Sequence, residues 1–391
     1  VLDGDPVSRW FARRTIEGLV RDFSSSFGFF EGLRVPEDKL GRSDLFGFSP
    51  SEIRALYPGE FGLKVSDRGN WVWRALGLGL PFNRLRLPRL TAQARSDLER
   101  TSDELDALRA ARPLPAGSLL GQGYADPHGH TAARLLEAAR WLGDPDLLLQ
   151  LEFLVEQNEI FATPLGVRHR YSTGSGIAYS PNLVAIADSA LQAYLCYGSV
   201  PSLLLAADLL GKFTERFMTD VGPLMTFDSD PFAQALGANG IELTDSYHEG
   251  GMARAARLAL RMQKLVPKGG IEPSGFEPQA LANTMVAALS AQAGTIQALG
   301  FSASGLFNAG LELADDVHAF AVGPDAVAQA NLLASRRPGR LIAPALGPVR
   351  EDLQRRPDGF YVVTSGDVEG PLSLGQAMDR IPTRYRIDRA L

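Results

Sequence analysis

Apolar side chains recur along most of this chain at the three-and-four spacing of an amphipathic helix, and the period changes once, near residue 315. Behind Ser180-Pro181, the positions Leu183, Ala187, Leu191, Tyr194 and Leu195 fall on one helical face, which predicts a helix buried along that face. Behind Asp126-Pro127, the set Ala132, Leu135, Leu136, Ala139 and Leu142 repeats the pattern. Both segments open with a capping side chain and a proline, whose missing N–H costs nothing in a first turn. Ser49-Pro50-Ser51-Glu52 reads as a third start, with Ser49 as cap and Glu52 closing a capping box. Further helices are predicted at 6–23, 91–112, 145–160, 201–218, 246–265, 279–299 and 303–314. Gly143-Asp144-Pro145 and Gly198-Ser199-Val200-Pro201 are turns short enough to fold neighbouring helices into hairpins.

After residue 315 the apolar runs shorten to strand length, at His318 to Val322, Arg340 to Ala345 and Phe360 to Thr364, with a helix after Gly323-Pro324-Asp325. A helical domain over 1–315 and a small α/β subdomain over 316–391 follow from that change. Within the first, 24–90 is the least regular stretch, punctuated by Phe27-Gly28-Phe29-Phe30 and Phe46-Gly47-Phe48, and is expected to be rich in loops.

Composition narrows the function classes. The only cysteine, Cys196, excludes an internal disulfide and a CxxC redox centre. Net charge is -6, and the basic residues are spread along the chain, so no nucleic-acid footprint is expected. They divide into 34 Arg and 5 Lys, a bias attributed to a GC-rich bacterial genome. The longest apolar stretch, Leu183 to Gly198, is broken by Asp188 and Gln192, so no membrane helix is expected. With no Asn-x-Ser/Thr sequon and no cysteine pair, a cytoplasmic protein is expected, and Val1 leaves room for an upstream segment.

The order of local signatures carries a resemblance. Ala12-Arg13-Arg14-Thr15-Ile16 leads to Phe27-Gly28-Phe29-Phe30-Glu31, then Leu45-Phe46-Gly47-Phe48-Ser49-Pro50-Ser51-Glu52-Ile53, then Gly69-Asn70. Farther on come Arg168-His169-Arg170-Tyr171, Ala187-Asp188-Ser189-Ala190 and Asp245-Ser246-Tyr247-His248-Glu249-Gly250-Gly251. The succession resembles the YyaL-type, spermatogenesis-associated, thioredoxin-domain-containing family. That resemblance implies an (α/α)6 toroid of the six-hairpin glycosidase type, with inner helices around a cleft lined by carboxylates and aromatics. The family's amino-terminal thioredoxin-like module has no counterpart here, which implies a protein partner that supplies it.

Candidate chemistry centres on acidic residues. Asp188 interrupts an apolar helical face, and a carboxylate there is either hydrogen-bonded structure or a functional group. Asp245 could face it across a toroid and share acid and base roles, or cap a helix; Ser246-x-x-Glu249 could equally be a capping box. The expected catalytic set is Asp188, Asp245 and His248, with Arg168, Tyr171, Glu249 and Trp71 binding substrate. No metal is expected: Asp126, His128 and His130 lack a further ligand in reach, and His248-Glu249-Gly250-Gly251-Met252 lacks the second histidine of HExxH. No cofactor motif is present either. The expectation is therefore a carbohydrate-binding or carbohydrate-processing protein acting on a sugar-like small molecule, with a catalytically inactive scaffold or protein partner as the alternative.

Overall fold

In a computed structural model of the chain, the described residues are 6–25, 28–29, 100, 103–104, 107, 123–164, 166–169, 179–219, 222–225, 243–245, 249–364 and 367–383. The Ser49 helix start and most of 24–121 lie outside them. By contacts the chain divides into two compact units, one of residues 1–3, 12–31 and 122–391 and the other of residues 4–11 and 32–121. In the second unit, the first turn of α1 (Pro6–Phe23) and the positions Arg100, Asp103, Glu104 and Ala107 are helical. The first unit is mainly helical.

Its chain runs through α1, the short pair β1 (Ser24–Ser25) and β2 (Gly28–Phe29), then α2 (Ala125–Leu142), α3 (Pro145–Gln150) and α4 (Phe153–Phe161). A second hairpin, β3 (Ala162–Thr163) and β4 (Gly166–Val167), leads to α5 (Ser180–Tyr197) and α6 (Val200–Phe217), and a third, β5 (Met218–Thr219) and β6 (Gly222–Pro223), follows. The helices α7 (Gly251–Leu265), α8 (Pro278–Ala291), α9 (Ala293–Leu299) and α10 (Ser304–Ala314) complete the helical part. The predicted single helix at 145–160 is two, because the Leu151 N–H is shared between the Leu147 and Leu148 carbonyls and tightens the turn there. The predicted 279–299 likewise breaks at Gln292. The helix expected from 246 begins at Gly251.

Two of these hairpins share a repeated construction that the hydrophobic period does not reveal. Phe161-Ala162-Thr163 pairs back through Gly166, and Phe217-Met218-Thr219 pairs back through Gly222 in the same register. In each, the threonine hydroxyl donates to the glycine carbonyl, Thr163 to Gly166 at 3.2 Å and Thr219 to Gly222 at 2.6 Å. Both glycines have positive φ, 132° and 134°, which a side chain rarely adopts. Beyond the hairpin, the His169 carbonyl accepts from Ala125 N–H and the Met225 carbonyl from Ser180 N–H. Each turn thus reaches back to satisfy the first orphan donor of the preceding buried helix. That displaces the expected caps: Tyr124 and Tyr179 stand at the cap positions, Ser180 makes no side-chain cap, and Asp126 turns to Arg254.

The sequence pattern predicts one buried face for α5, yet it is buried from Asn182 through Cys196, all the way round. It packs against α2 and α6, and against α2 the backbones come unusually close: a Cβ on Gly129 would lie 2.5 Å from the Ala185 carbonyl carbon and oxygen. A helix surrounded on all sides is the core of its unit.

The closing α/β segment, which by contacts belongs to the same unit as the helices before it, holds β7 (His318–Val322), α11 (Ala326–Arg336), β8 (Ile342–Pro344), α12 (Glu351–Gln354), β9 (Gly359–Thr364), β10 (Asp367–Leu372) and α13 (Leu374–Arg380). The sheet order is β10-β9-β7-β8, with β7 and β8 parallel across α11 and the other pairs antiparallel. The last strand and helix escape sequence reading because β10 is largely exposed and lacks an apolar alternation. Buried polar bonds join this sheet to the helices: Tyr194 Oη donates to the Pro344 carbonyl at 2.6 Å and Arg140 Nη2 to that of Ile342 at 2.6 Å.

The contact of α2 with α5 gives a direct check. Gly129→Ala is expected to destabilise by about 2 kcal/mol or more, because overpacking against a backbone outweighs the gain in helix propensity. Urea denaturation measures it, and an unchanged or raised midpoint would contradict the packing.

Candidate functional site

Helix α7 carries Arg254, Arg257, Arg261 and Lys264, spaced three or four apart and therefore aligned along one face. Carboxylates from other elements meet this stripe. Arg254 Nη1 lies 2.8 Å from Asp126 Oδ1 at the start of α2. Arg257 Nη2 lies 2.5 Å from Glu249 Oε2 and 3.9 Å from Asp188 Oδ2 on α5. Arg261 contacts Glu137 on α2 at 3.6 Å and Glu312 on α10 at 3.5 Å, and Lys264 contacts Glu312 at 3.7 Å. From α2, Arg134 Nη2 reaches Asp188 Oδ2 at 2.5 Å and its Nη1 pairs with Glu137. Four helices are thereby tied by one ionic network.

The network is deep but not sealed. The Asp188 side chain is 2 % exposed and that of Arg254 1 %, whereas Arg134 keeps 31 % of its side-chain surface.

Electrostatics push the two central carboxyl groups apart. Burial would raise Asp188, but Arg134, Arg257, Arg261 and Arg254 outweigh it and hold the group well below the usual carboxylate range. Glu249 moves the other way: burial raises it, the negative charge of Asp188 adds to that, and Arg257 and Arg134 only partly compensate. The two carboxyl groups are thus pushed in opposite directions. Both contact the same guanidinium nitrogen, Arg257 Nη2.

Of the residues expected from sequence, the structure brings Asp188 and Glu249 together. Asp245 serves otherwise: its Oδ1 accepts from Gly250 N–H at 2.8 Å, and its Oδ2 from Ser304 Oγ at 2.8 Å and Gly305 N–H at 2.7 Å. It fixes the start of α10 against the turn that presents Glu249. Gly305 makes that approach possible, since a Cβ there would lie 2.7 Å from Glu249 Cγ and 2.8 Å from Asp245 Oδ1. Arg168 follows the β3-β4 hairpin, its N–H donating to the Phe161 carbonyl, and among the described residues no ion pair links it to these carboxylates. His248, Tyr171 and Trp71 lie outside the described residues.

Sequence reading missed the cations. Arg254, Arg257 and Arg261 stand at helical spacing in a segment otherwise made of Ala, Leu and Met, and that spacing was the available signal. An arginine fork can hold two carboxylates at once, which a lysine ammonium does less well. His128 is a core residue, buried and stacked on Phe161 at 5.0 Å, with its pKa lowered by burial to about 4. Among the described residues, no cluster of three or more His, Cys, Asp or Glu is placed to hold a metal, and no helix is long and apolar enough to cross a membrane.

No protein-family model and no curated protein matches the chain.

The opposed shifts have opposite consequences for stability. Asp188 is depressed, so its ion pairs contribute fully above the unfolded value near pH 4 and are lost as pH falls through the folded value. Glu249 is raised, so it favours the folded state increasingly as pH falls through its elevated value. Asp188→Asn is expected to cost about 3 kcal/mol or more near pH 7, because it strands buried arginine charge. Glu249→Gln is expected to cost less there and to flatten the pH dependence above the ordinary carboxylate range. Urea denaturation from pH 4 to 9 measures both, and equal losses with parallel pH profiles would contradict the assignment.

Proposed function

We propose that the described helices belong to an (α/α)6 toroid of the six-hairpin type, as the YyaL-type resemblance implies, and that its inner face binds and processes a carbohydrate-like ligand. The repeated construction of helix, tight hairpin and buried helix supports the toroid. One observation carries the chemistry: Asp188 and Glu249 share Arg257 Nη2 while their environments push them in opposite directions. Glu249 is then the proton donor to a leaving or ring oxygen, and Asp188, itself paired with Arg134 and Arg257, fixes the arginine against which Glu249 lies. Asp245, first read as the second catalytic carboxylate, becomes a positioning residue. A cytoplasmic location accompanies this reading.

A second reading has its own observation. Both oxygens of Asp245 are consumed in holding α10 and the turn before α7, which suits a non-catalytic member acting as a scaffold or as the partner of a protein that supplies a thioredoxin-like module.

A thermal-shift screen of the full chain against neutral monosaccharides, oligosaccharides and sugar acids separates the two. The first reading expects at least one saccharide to raise the melting temperature, with Glu249→Gln still binding it while turnover falls by about 10²-fold or more. A protein that no saccharide stabilises would leave the scaffold reading standing.

A further inference from the structure

The sheet of the closing segment leaves a hollow where β9 begins and β10 stops. Its volume is about 550 Å³, it is open to solvent, and its walls come from α11, the first residues of β9, the last of β10 and the first of α13. That volume falls in the range of small-molecule sites, roughly 300–1,000 Å³. The strand register shows how it forms. Glu369 stands opposite Val362 and Leu372 opposite Phe360, so β10 carries one residue more than β9 between these pairs. An extra residue of this kind bends an edge strand. The chain then turns into α13, where Ser373 is committed to the helix start: its N–H donates to Gln376 Oε1 at 2.9 Å and its Oγ accepts from Gln376 N–H.

Most of the walls are apolar. Leu332 on α11 is 44 % exposed, Leu372 is half-buried, and the buried Phe360 lines the hollow from the sheet. Asp358 is the one charged residue in these walls. A Cβ on Gly323 would lie 2.7 Å from Asp358 Cγ and 2.9 Å from its Oδ1, so the side chain rests against the bare peptide that precedes α11. Among the described residues the Asp358 carboxylate has neither a hydrogen bond nor an ion pair, whereas Asp188, Asp245 and Glu249 are each matched by donors. Gln329, also in the wall, has Oε1 buried without a hydrogen-bond partner. An unmet buried acceptor is destabilising, and no hydrogen bond holds this amide back from turning toward a donor. An anion would be repelled here, and a hydrocarbon would leave both acceptors unmet.

We propose that this hollow binds a primary alkylammonium group, its aliphatic chain against Leu332, Phe360 and Leu372 and its N–H donors shared between Asp358 and Gln329 Oε1. The site lies apart from the carboxylates around Arg257 and stands independently of the carbohydrate reading. Free amines and lysine side chains both carry the group, and the probes separate them.

Methyl-resolved NMR titration of the full chain tests it at pH 7, where an alkylamine with a pKa of about 10 is charged. The probes are hexylammonium, N-acetyl-lysine methylamide, hexanol and hexanoate. At least one ammonium probe should shift the Leu332 and Leu372 methyl resonances saturably, and the tighter of the two names a free amine or a lysine side chain as the source. Hexanol should bind at least about tenfold more weakly, and hexanoate not at all. Asp358→Asn, a change at an exposed position, should weaken ammonium binding about tenfold and leave hexanol unaffected. The proposal is overturned if neither ammonium probe moves those methyls, if hexanol or hexanoate binds as well as they do, or if folded Asp358→Asn binds them as tightly as the wild type. Should that variant not fold, the ranking of the four probes on the wild type decides.

Discussion

A carboxylate only 2 % exposed in the middle of a helix that is buried all round has to be neutralised, and at Asp188 this is done by guanidinium groups from the helices on either side. Removing such a charge from water is expensive, and only well-placed opposite charges with hydrogen bonds offset it. Arg134 comes from α2 and Arg257 from α7, so the charge of Asp188 dictates which faces those helices turn toward α5. Each arginine then needs further partners, which draws in Glu137, Glu249 and, through Arg261 on the same stripe, Glu312. The network thereby fixes the rotation of four helices about their axes, a degree of freedom that apolar packing of many Ala and Leu side chains specifies poorly.

The backbone supplies what the charges alone do not. Gly129 lets α2 lie against the Ala185 peptide, and that closeness is what allows Arg134 to span to Asp188. Gly305 lets the first turn of α10 approach Glu249 and Asp245. The Thr-Gly hairpins tie the last turn of α4 and of α6 to the first residues of α2 and α5, so the helix ends on which Tyr124, Asp126 and Tyr179 stand are held by hydrogen bonds rather than by their own caps. Positioning and packing are thus separate devices, one made of glycines and turns and the other of ions.

Sequence reading recovered the helical class, the change of period near 315 and the first three strands of the sheet, because each buries a regular apolar pattern. It singled out Asp188 for a sound reason, a charge in an apolar run, and Glu249 among several acids. Asp245 looked catalytic because a helix-mouth aspartate that caps two elements far apart in sequence is indistinguishable, in one dimension, from one facing a cleft. The arginine partners were illegible for a related reason: Arg134 lies 54 residues from the carboxylate it neutralises, and a high arginine count reads as composition.

Asp188 and Glu249 meet at Arg257, where the arginines hold the first carboxyl low while burial, with the negative charge of Asp188, raises the second. Carbon-detected NMR titration of the Asp and Glu side-chain carboxyls, with resonances assigned through Asp188→Asn and Glu249→Gln, reads this directly. Asp188 should remain ionised to the lowest pH at which the fold persists, while Glu249 should titrate above the ordinary carboxylate range. Two groups titrating together near their ordinary values would contradict the central claim.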